Sequence, residues 1–197
     1  MLKRAFDIVS SVFGLLLLSP VFIIVVIWIK LDSKGPVFYK QVRVGKNNID
    51  FKILKFRSMR QDADKGRLIT IGGRDPRVTQ SGYYIRKYKL DELPQLINVL
   101  KGDMSIVGPR PEVRRYVDLY TEEQKRVLSV QPGITDIASI KYRNENELLE
   151  NAVDPDKIYI ESIMPDKLKH NLEYIDKQSF LFDLKLIAQT IKEIIIN

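Results

Sequence analysis

The stretch Ile8-Val9-Ser10-Ser11-Val12-Phe13-Gly14-Leu15-Leu16-Leu17-Leu18-Ser19-Pro20-Val21-Phe22-Ile23-Ile24-Val25-Val26-Ile27-Trp28-Ile29 runs for 22 residues without a charge. Lys3, Arg4 and Asp7 precede it, and Lys30, Asp32 and Lys34 follow. As one helix it would be about 33 Å long, enough to cross a bilayer core. Ser19-Pro20 rules out a straight one. Proline has no N–H for the Leu16 carbonyl and its ring clashes with that turn, so the helix must bend, and Ser19 can satisfy a freed carbonyl. Both flanks are basic, so the cytoplasmic bias of positive charge cannot orient a spanning helix. Two geometries stand level on these grounds: a kinked single pass, and a helix that enters the cytoplasmic leaflet, turns at Ser19-Pro20 and returns to the same face. No small-x-small cleavage site follows the run, which disfavours a signal peptide.

The 197 residues suffice for one main domain with appendages. With 32 Lys plus Arg against 25 Asp plus Glu, the formal charge is +7, which favours polyanionic partners: nucleic acid, anionic lipid or phosphorylated metabolites. The chain has no Cys and a single His, His170. Counting therefore excludes disulfides, thiolate nucleophiles, iron–sulfur clusters, His-based zinc sites and paired imidazoles, which leaves carboxylates, Lys, Arg, Tyr or a hard metal. His170 reads as a surface or helix-terminal histidine.

Residues 34–60 hold eight basic residues against the single acid Asp50, a local +7 next to the apolar segment. Two β-prone runs, Val37 to Val44 and Ile49 to Phe56, flank Gly45-Lys46-Asn47-Asn48 and predict a β-hairpin. Attraction to anionic headgroups accounts for the charge as a whole but for no single residue. A long polar loop with Gly72-Gly73 and Asp75-Pro76 is expected over Gln61 to Ser81. Helices follow over Tyr83 to Lys89, Asp91 to Lys101 with Gly102 as its stop, Pro111 to Leu128, Asn144 to Val153 and Asp156 to Lys169. The run Phe180 to Ile196 carries Phe180, Leu184, Ile187, Ile191 and Ile194 at helical spacing, a stripe suited to contact with both protein and lipid.

Asp91-Glu92 opens one of these helices, where the macrodipole and free amides would hold a carboxylate ionised. Taken alone, such a pair is more often a plain helix cap. Its setting raises it: Arg86, Lys87 and Lys89 stand just before, and Gly108-Pro109-Arg110-Pro111 after. If these converge, one carboxylate can attack, one can hold a hard cation, and guanidinium groups can neutralise phosphate oxygens.

Four motifs carry a resemblance: Lys55-Phe56-Arg57-Ser58-Met59, the block from Lys89-Leu90-Asp91-Glu92-Leu93-Pro94-Gln95 to Gly102-Asp103-Met104-Ser105, Val107-Gly108-Pro109-Arg110-Pro111, and Gln131-Pro132-Gly133-Ile134-Thr135. Together they resemble the bacterial sugar transferase family, the monotopic phosphoglycosyl transferases that begin capsule, exopolysaccharide, O-antigen and some glycoprotein glycans. The likeness covers nearly the whole chain and implies an α+β, mostly helical fold. Residues 1–33 would form a re-entrant membrane helix broken at Ser19-Pro20. Residues 34–197 would form a compact cytoplasmic catalytic domain, with the hairpin and amphipathic interfacial helices, on the inner face of the cytoplasmic membrane.

The resemblance also implies a ping-pong reaction. Asp91 attacks the β-phosphate of a UDP-sugar, UMP leaves, and the aspartate carries the sugar phosphate until a polyprenyl phosphate, undecaprenyl phosphate, takes it. Glu92 would bind Mg²⁺. Lys55, Arg86, Arg110 and Arg143 match basic positions near the substrate phosphates. The implied partners are the UDP-sugar, the polyprenyl phosphate and the membrane, with no nucleic acid, and a homodimer is compatible with this class. One position departs from the pattern: Asn171 stands where many members have Asp, with Glu173 or Asp176 as stand-ins. The rival is a membrane-anchored basic module that binds polyanions without chemistry, for which an acidic pair amid its basic residues has no use. The identity of the sugar and the glycan pathway are not written in these motifs.

Overall fold

Helix α1 (Leu2–Leu17) and helix α2 (Ser19–Asp32) meet at a bend of 61° in the computed structural model, which describes residues 1–61, 63, 75–150 and 152–196. The break falls where proline dictates. Pro20 lies in the first turn of α2, where its missing N–H is tolerated, and Ser19 Oγ donates to the Leu16 carbonyl at 2.8 Å. Among the described residues no single helix is long and apolar enough to cross a membrane, whereas the bent pair together has the required length and composition. Much of its apolar surface is exposed, including Val9, Phe13, Leu16, Ile23, Ile24 and Leu31.

The polar residues at both ends of this pair bond to the rest of the chain. At the start, Lys3 Nζ donates to the Val107 carbonyl at 2.9 Å and pairs with Asp183 at 2.5 Å, while Arg4 donates to the carbonyls of Val99 and Leu100. Buried Asp7 accepts from Ser105 Oγ and the Ile106 amide. At the far end, Asp32 accepts from the Ser81 amide and hydroxyl, and Arg57 donates to the carbonyl and hydroxyl of Ser33.

The hairpin forms as predicted: β1 (Phe38–Val44) pairs antiparallel with β2 (Asp50–Phe56), and Asn47 and Asn48 take positive φ at its tip. Helix α3 (Gln80–Lys87) begins three residues earlier than expected because Thr79 caps it, accepting from the Gly82 amide. Next come a 3₁₀ turn (Leu90–Glu92) and helix α4 (Gln95–Lys101), which Gly102 ends at φ +93°. Of the loop expected over Gln61 to Ser81, positions 62 and 64–74, including Gly72-Gly73, lie outside the described residues.

The helix expected over Pro111 to Leu128 resolves into α5 (Arg114–Val117) and a 3₁₀ turn (Gln124–Ser129). Thr121 and Gln124 cause the interruption by bonding reciprocally to each other's amides, a capping box that restarts the chain. Two three-residue strands, β3 (Ser105–Val107) and β4 (Gly133–Thr135), pair in parallel. Gly108 and Gly133 pack back to back there, and a Cβ on Gly133 would lie 2.1 Å from the Gly108 nitrogen. The remaining helices are α6 (Ile137–Lys141), α7 (Glu145–Glu150), α8 (Pro155–Ile158), which passes through a π turn (Tyr159–Ile163) into α9 (Met164–Lys177), and α10 (Phe180–Ile196).

Helix α9 buries Met164, Leu168, Asn171 and Tyr174 along one stripe. Helix α10 divides its apolar residues. Phe182, Leu186 and Ile187 pack beside Val107 and Tyr174, while Leu181, Leu184 and Ile191 are exposed.

Candidate active site

Helix α4 positions the Asp91-Glu92 turn by being fixed on two sides. Asn98 acts as a strand edge against β2, its Oδ1 accepting from the Leu54 amide and its Nδ2 donating to the Lys52 carbonyl, both at 2.9 Å. On the opposite side Arg4 of α1 bonds to the carbonyls that close α4, and Leu96 lies against Gly14. Leu90 and Leu93, which flank the dyad, pack with Val25 and Ile29 of α2. The dyad therefore sits on the bent helix pair, one residue removed from its apolar contacts.

Five of the residues singled out in the sequence, Asp91, Glu92, Lys55, Arg86 and Arg110, come together at this turn. Arg110 grips Glu92 with both terminal guanidinium nitrogens, Nη1 at 3.1 Å from Oε2 and Nη2 on Oε1, and Lys55 Nζ reaches Oε1 at 3.3 Å. Asp91 is buried and accepts no side-chain hydrogen bond among the described residues. Arg86, in the last turn of α3, lies close enough to favour the Asp91 carboxylate electrostatically. Arg143 does not join them. It bonds to the Glu193 carbonyl near the end of α10, because its position depends on tertiary packing that spacing along the chain does not encode.

The two adjacent carboxyls have opposite electrostatics. Burial raises Asp91 above the ordinary carboxylate range, opposed by Lys55 and reinforced by the charge of Glu92. Burial also works against ionised Glu92, but Arg110 and Lys55 outweigh it and hold that carboxyl well below the usual range. Burial lowers Lys55, against the pull of Glu92. The expectation that a helix N-terminus keeps Asp91 ionised is thus corrected: the residue sits in a 3₁₀ turn that precedes α4, and burial outweighs the charges that favour its ionised form. Such a pair of neighbours pushed apart suits two roles, one group reactive and one fixed.

Two residues that the sequence did not single out hold Arg110 in place. Asp136, fully buried as the cap of α6, accepts the Arg110 amide at 2.9 Å and the amide of Ser139. Glu112 accepts from Arg43, from the Val113 amide and from the Tyr159 hydroxyl, and Arg43 also donates to the Pro111 carbonyl. An acid directly after the Pro-Arg-Pro loop was the available signal. Asn171, the departing position, lies behind the same loop. It lines a cavity of about 20 Å³ with Pro109 and Arg110, and its buried Oδ1 has no hydrogen-bond partner among the described residues. A groove of about 470 Å³ between the Gln124–Ser129 turn and α9 contains none of the dyad residues.

A hard divalent cation would find carboxylate oxygens here. Glu92 Oε1 already accepts twice and Oε2 once, whereas Asp91 accepts no hydrogen bond among the described residues. No group of three or more His, Cys, Asp or Glu ligands gathers among the described residues. The donor set fits Mg²⁺ as an ion that completes its shell from substrate oxygens and water.

The model of the bacterial sugar transferase family matches residues 1–197. The uncharacterized sugar transferase EpsL of Bacillus subtilis (strain 168) is 39% identical over 197 residues, which cover 100% of this chain and 88% of that protein. The UDP-N-acetylgalactosamine-undecaprenyl-phosphate N-acetylgalactosaminephosphotransferase of Aeromonas hydrophila is 40% identical across 98% of this chain and 44% of its own length. The UDP-glucose:undecaprenyl-phosphate glucose-1-phosphate transferase of Escherichia coli (strain K12) is 38% identical across 100% of this chain and 41% of its own. The chain therefore spans less than half the length of the latter two relatives. It belongs to the bacterial sugar transferase family.

Proposed function

We propose that this chain transfers a sugar 1-phosphate from a UDP-sugar to undecaprenyl phosphate, giving the polyprenyl diphosphate sugar and UMP, as a first membrane step of extracellular polysaccharide synthesis. The single observation that carries this is the contrast within the dyad: Asp91 is buried and accepts no hydrogen bond among the described residues, beside a Glu92 that Arg110 and Lys55 engage. The reaction class is supported by relatives named as undecaprenyl-phosphate sugar phosphotransferases at 37–42% identity.

In the first half-reaction an Asp91 carboxylate oxygen forms a bond to the β-phosphorus as the bond from that phosphorus to the bridging oxygen breaks, and UMP leaves with the electron pair. In the second, an oxygen of the polyprenyl phosphate attacks the same phosphorus and Asp91 departs as a carboxylate. Arg110 and Lys55 supply positive charge where phosphate oxygens gather, and Glu92 keeps both side chains aimed. Mg²⁺, held by Glu92 with Asp91 alongside, would neutralise the diphosphate when bound. No step calls for imidazole or thiol, in keeping with one His and no Cys.

We further read residues 1–33 as a re-entrant membrane helix and residues 34–197 as a catalytic domain on the cytoplasmic face. Support comes from the 61° bend, the exposed apolar side chains of the pair, and the bonding of Lys3, Arg4, Asp7 and Asp32 to one body. A site on this pair can meet a donor from the cytosol and an acceptor from the bilayer. The test is UMP release by the purified chain in nanodiscs with Mg²⁺, polyprenyl phosphate and a panel of UDP-sugars, run beside Asp91→Asn. Release with one donor, lost in the variant, and a phosphosugar adduct on Asp91 are expected. Full activity of Asp91→Asn would falsify the mechanism.

A further inference from the structure

Three described residues other than glycine have a positive φ: Asn47 and Asn48 at the hairpin tip, and Lys89 at φ +56°. Asparagine tolerates this region because its short amide bonds locally, but a long side chain is disfavoured there. Lys89 follows the end of α3 at the position glycine usually fills. At the end of α4 the chain makes the same left-handed turn with Gly102. The backbone needs no side chain for its turn: the Lys89 amide donates to the Arg86 carbonyl at 3.0 Å, and the Lys89 carbonyl accepts from the Glu92 amide at 3.3 Å. Glycine would make both bonds without strain. What a glycine would lack is the ammonium group, and this strained residue stands two positions before Asp91.

That ammonium is exposed and has no hydrogen bond or ion pair among the described residues. Lys55 and Arg110 are committed to Glu92. Lys89 is not, and its charge acts on both carboxylates of the dyad. Strain retained at a functional turn points to a task for the side chain. We propose that Lys89 is kept in this backbone conformation so that its ammonium contacts a phosphate oxygen of the substrate beside the dyad. The inference rests on the phosphoryl-transfer reading above and adds one substrate-contacting residue to it. The phosphate belongs to the nucleotide diphosphate or to the polyprenyl acceptor, and the two half-reactions tell these apart.

The experiment uses the full chain in nanodiscs as wild type, Lys89→Gly, Lys89→Asn and Lys89→Arg. UMP release from UDP-sugar alone reports the first half, and discharge of the adduct by polyprenyl phosphate reports the second. Lys89→Gly and Lys89→Asn are expected to keep or raise Tm while losing about tenfold or more in kcat/KM of one half-reaction, and Lys89→Arg to stay within about threefold. Loss in the first half assigns the contact to the diphosphate, and loss in the second to the acceptor. Both halves within about twofold of wild type would overturn the proposal, since a charged hydrogen bond is worth more than that. So would a fall in Tm that tracks the lost activity, which would make Lys89 a helix-end residue only, or a loss confined to binding of anionic vesicles. A wild type that releases no UMP from any donor overturns the transfer reading and this inference with it.

Discussion

Arg110 holds Glu92 through both carboxylate oxygens, while Asp91, one residue earlier, has no hydrogen-bonding partner among the described residues. The two acids should therefore respond oppositely to loss of charge. Asp91→Asn removes a buried carboxylate that desolvation disfavours, so Tm should hold or rise while UMP release disappears. Glu92→Gln leaves Arg110 and Lys55 without their counter-charge and should lower stability by about 1–3 kcal/mol. Thermal melts of both variants beside activity assays check this; a destabilised Asp91→Asn would count against it.

Activity should depend on pH through Asp91. The attacking form is the carboxylate, and burial raises its pKa, so the first half-reaction should fall on acidification along a limb above the ordinary Asp value of about 4. Lys55 is the strongest influence in the opposite direction, so Lys55→Met should move that limb to higher pH. A limb at the ordinary value, or one that Lys55→Met leaves in place, contradicts the assignment.

Chelation gives a third expectation. EDTA should abolish UMP release and added Mg²⁺ restore it, and Glu92→Gln should raise the Mg²⁺ concentration needed for half-maximal rate. Activity that persists in EDTA would remove the metal from the mechanism.

The bent pair can be probed by labelling, because the chain has no Cys of its own. Cysteines in place of the exposed residues Leu2 and Lys34 should both react with an impermeant reagent from the cytoplasmic side. Opposite-side labelling would establish a single pass.

Much of the architecture was legible because local chemistry dictates it. Ser19-Pro20 set the bend, Asn47-Asn48 the hairpin tip, Gly102 the end of α4, and the apolar spacing of Phe180 to Ile196 the last helix. The dyad and its partners Lys55 and Arg110 were legible through their motifs. The pairing of β3 with β4 was not, since strands of three residues have no readable period and their partnership joins Ser105 to Gly133. Thr121-x-x-Gln124 did announce a new turn, but the apolar spacing on either side of it reads as one helix. The upward shift of Asp91 and the bond of Arg143 to the Glu193 carbonyl both depend on burial and chain crossing, which spacing does not encode.

The bond between Lys3 and Asp183 also has a consequence in time. Lys3 and Arg4 can reach the carbonyls of Val99, Leu100 and Val107 earlier, but the carboxylate that pairs with Lys3 exists only when residue 183 has been made, 180 positions later. At 5–20 residues per second that is roughly 10–40 s of synthesis. Through most of that interval α1 and α2 exist without the carboxylate that will pair with Lys3. The order of manufacture thus leaves the Lys3 end of the pair without its ion-pair partner until α10 is made, after the contacts to α4 and β3 have become possible.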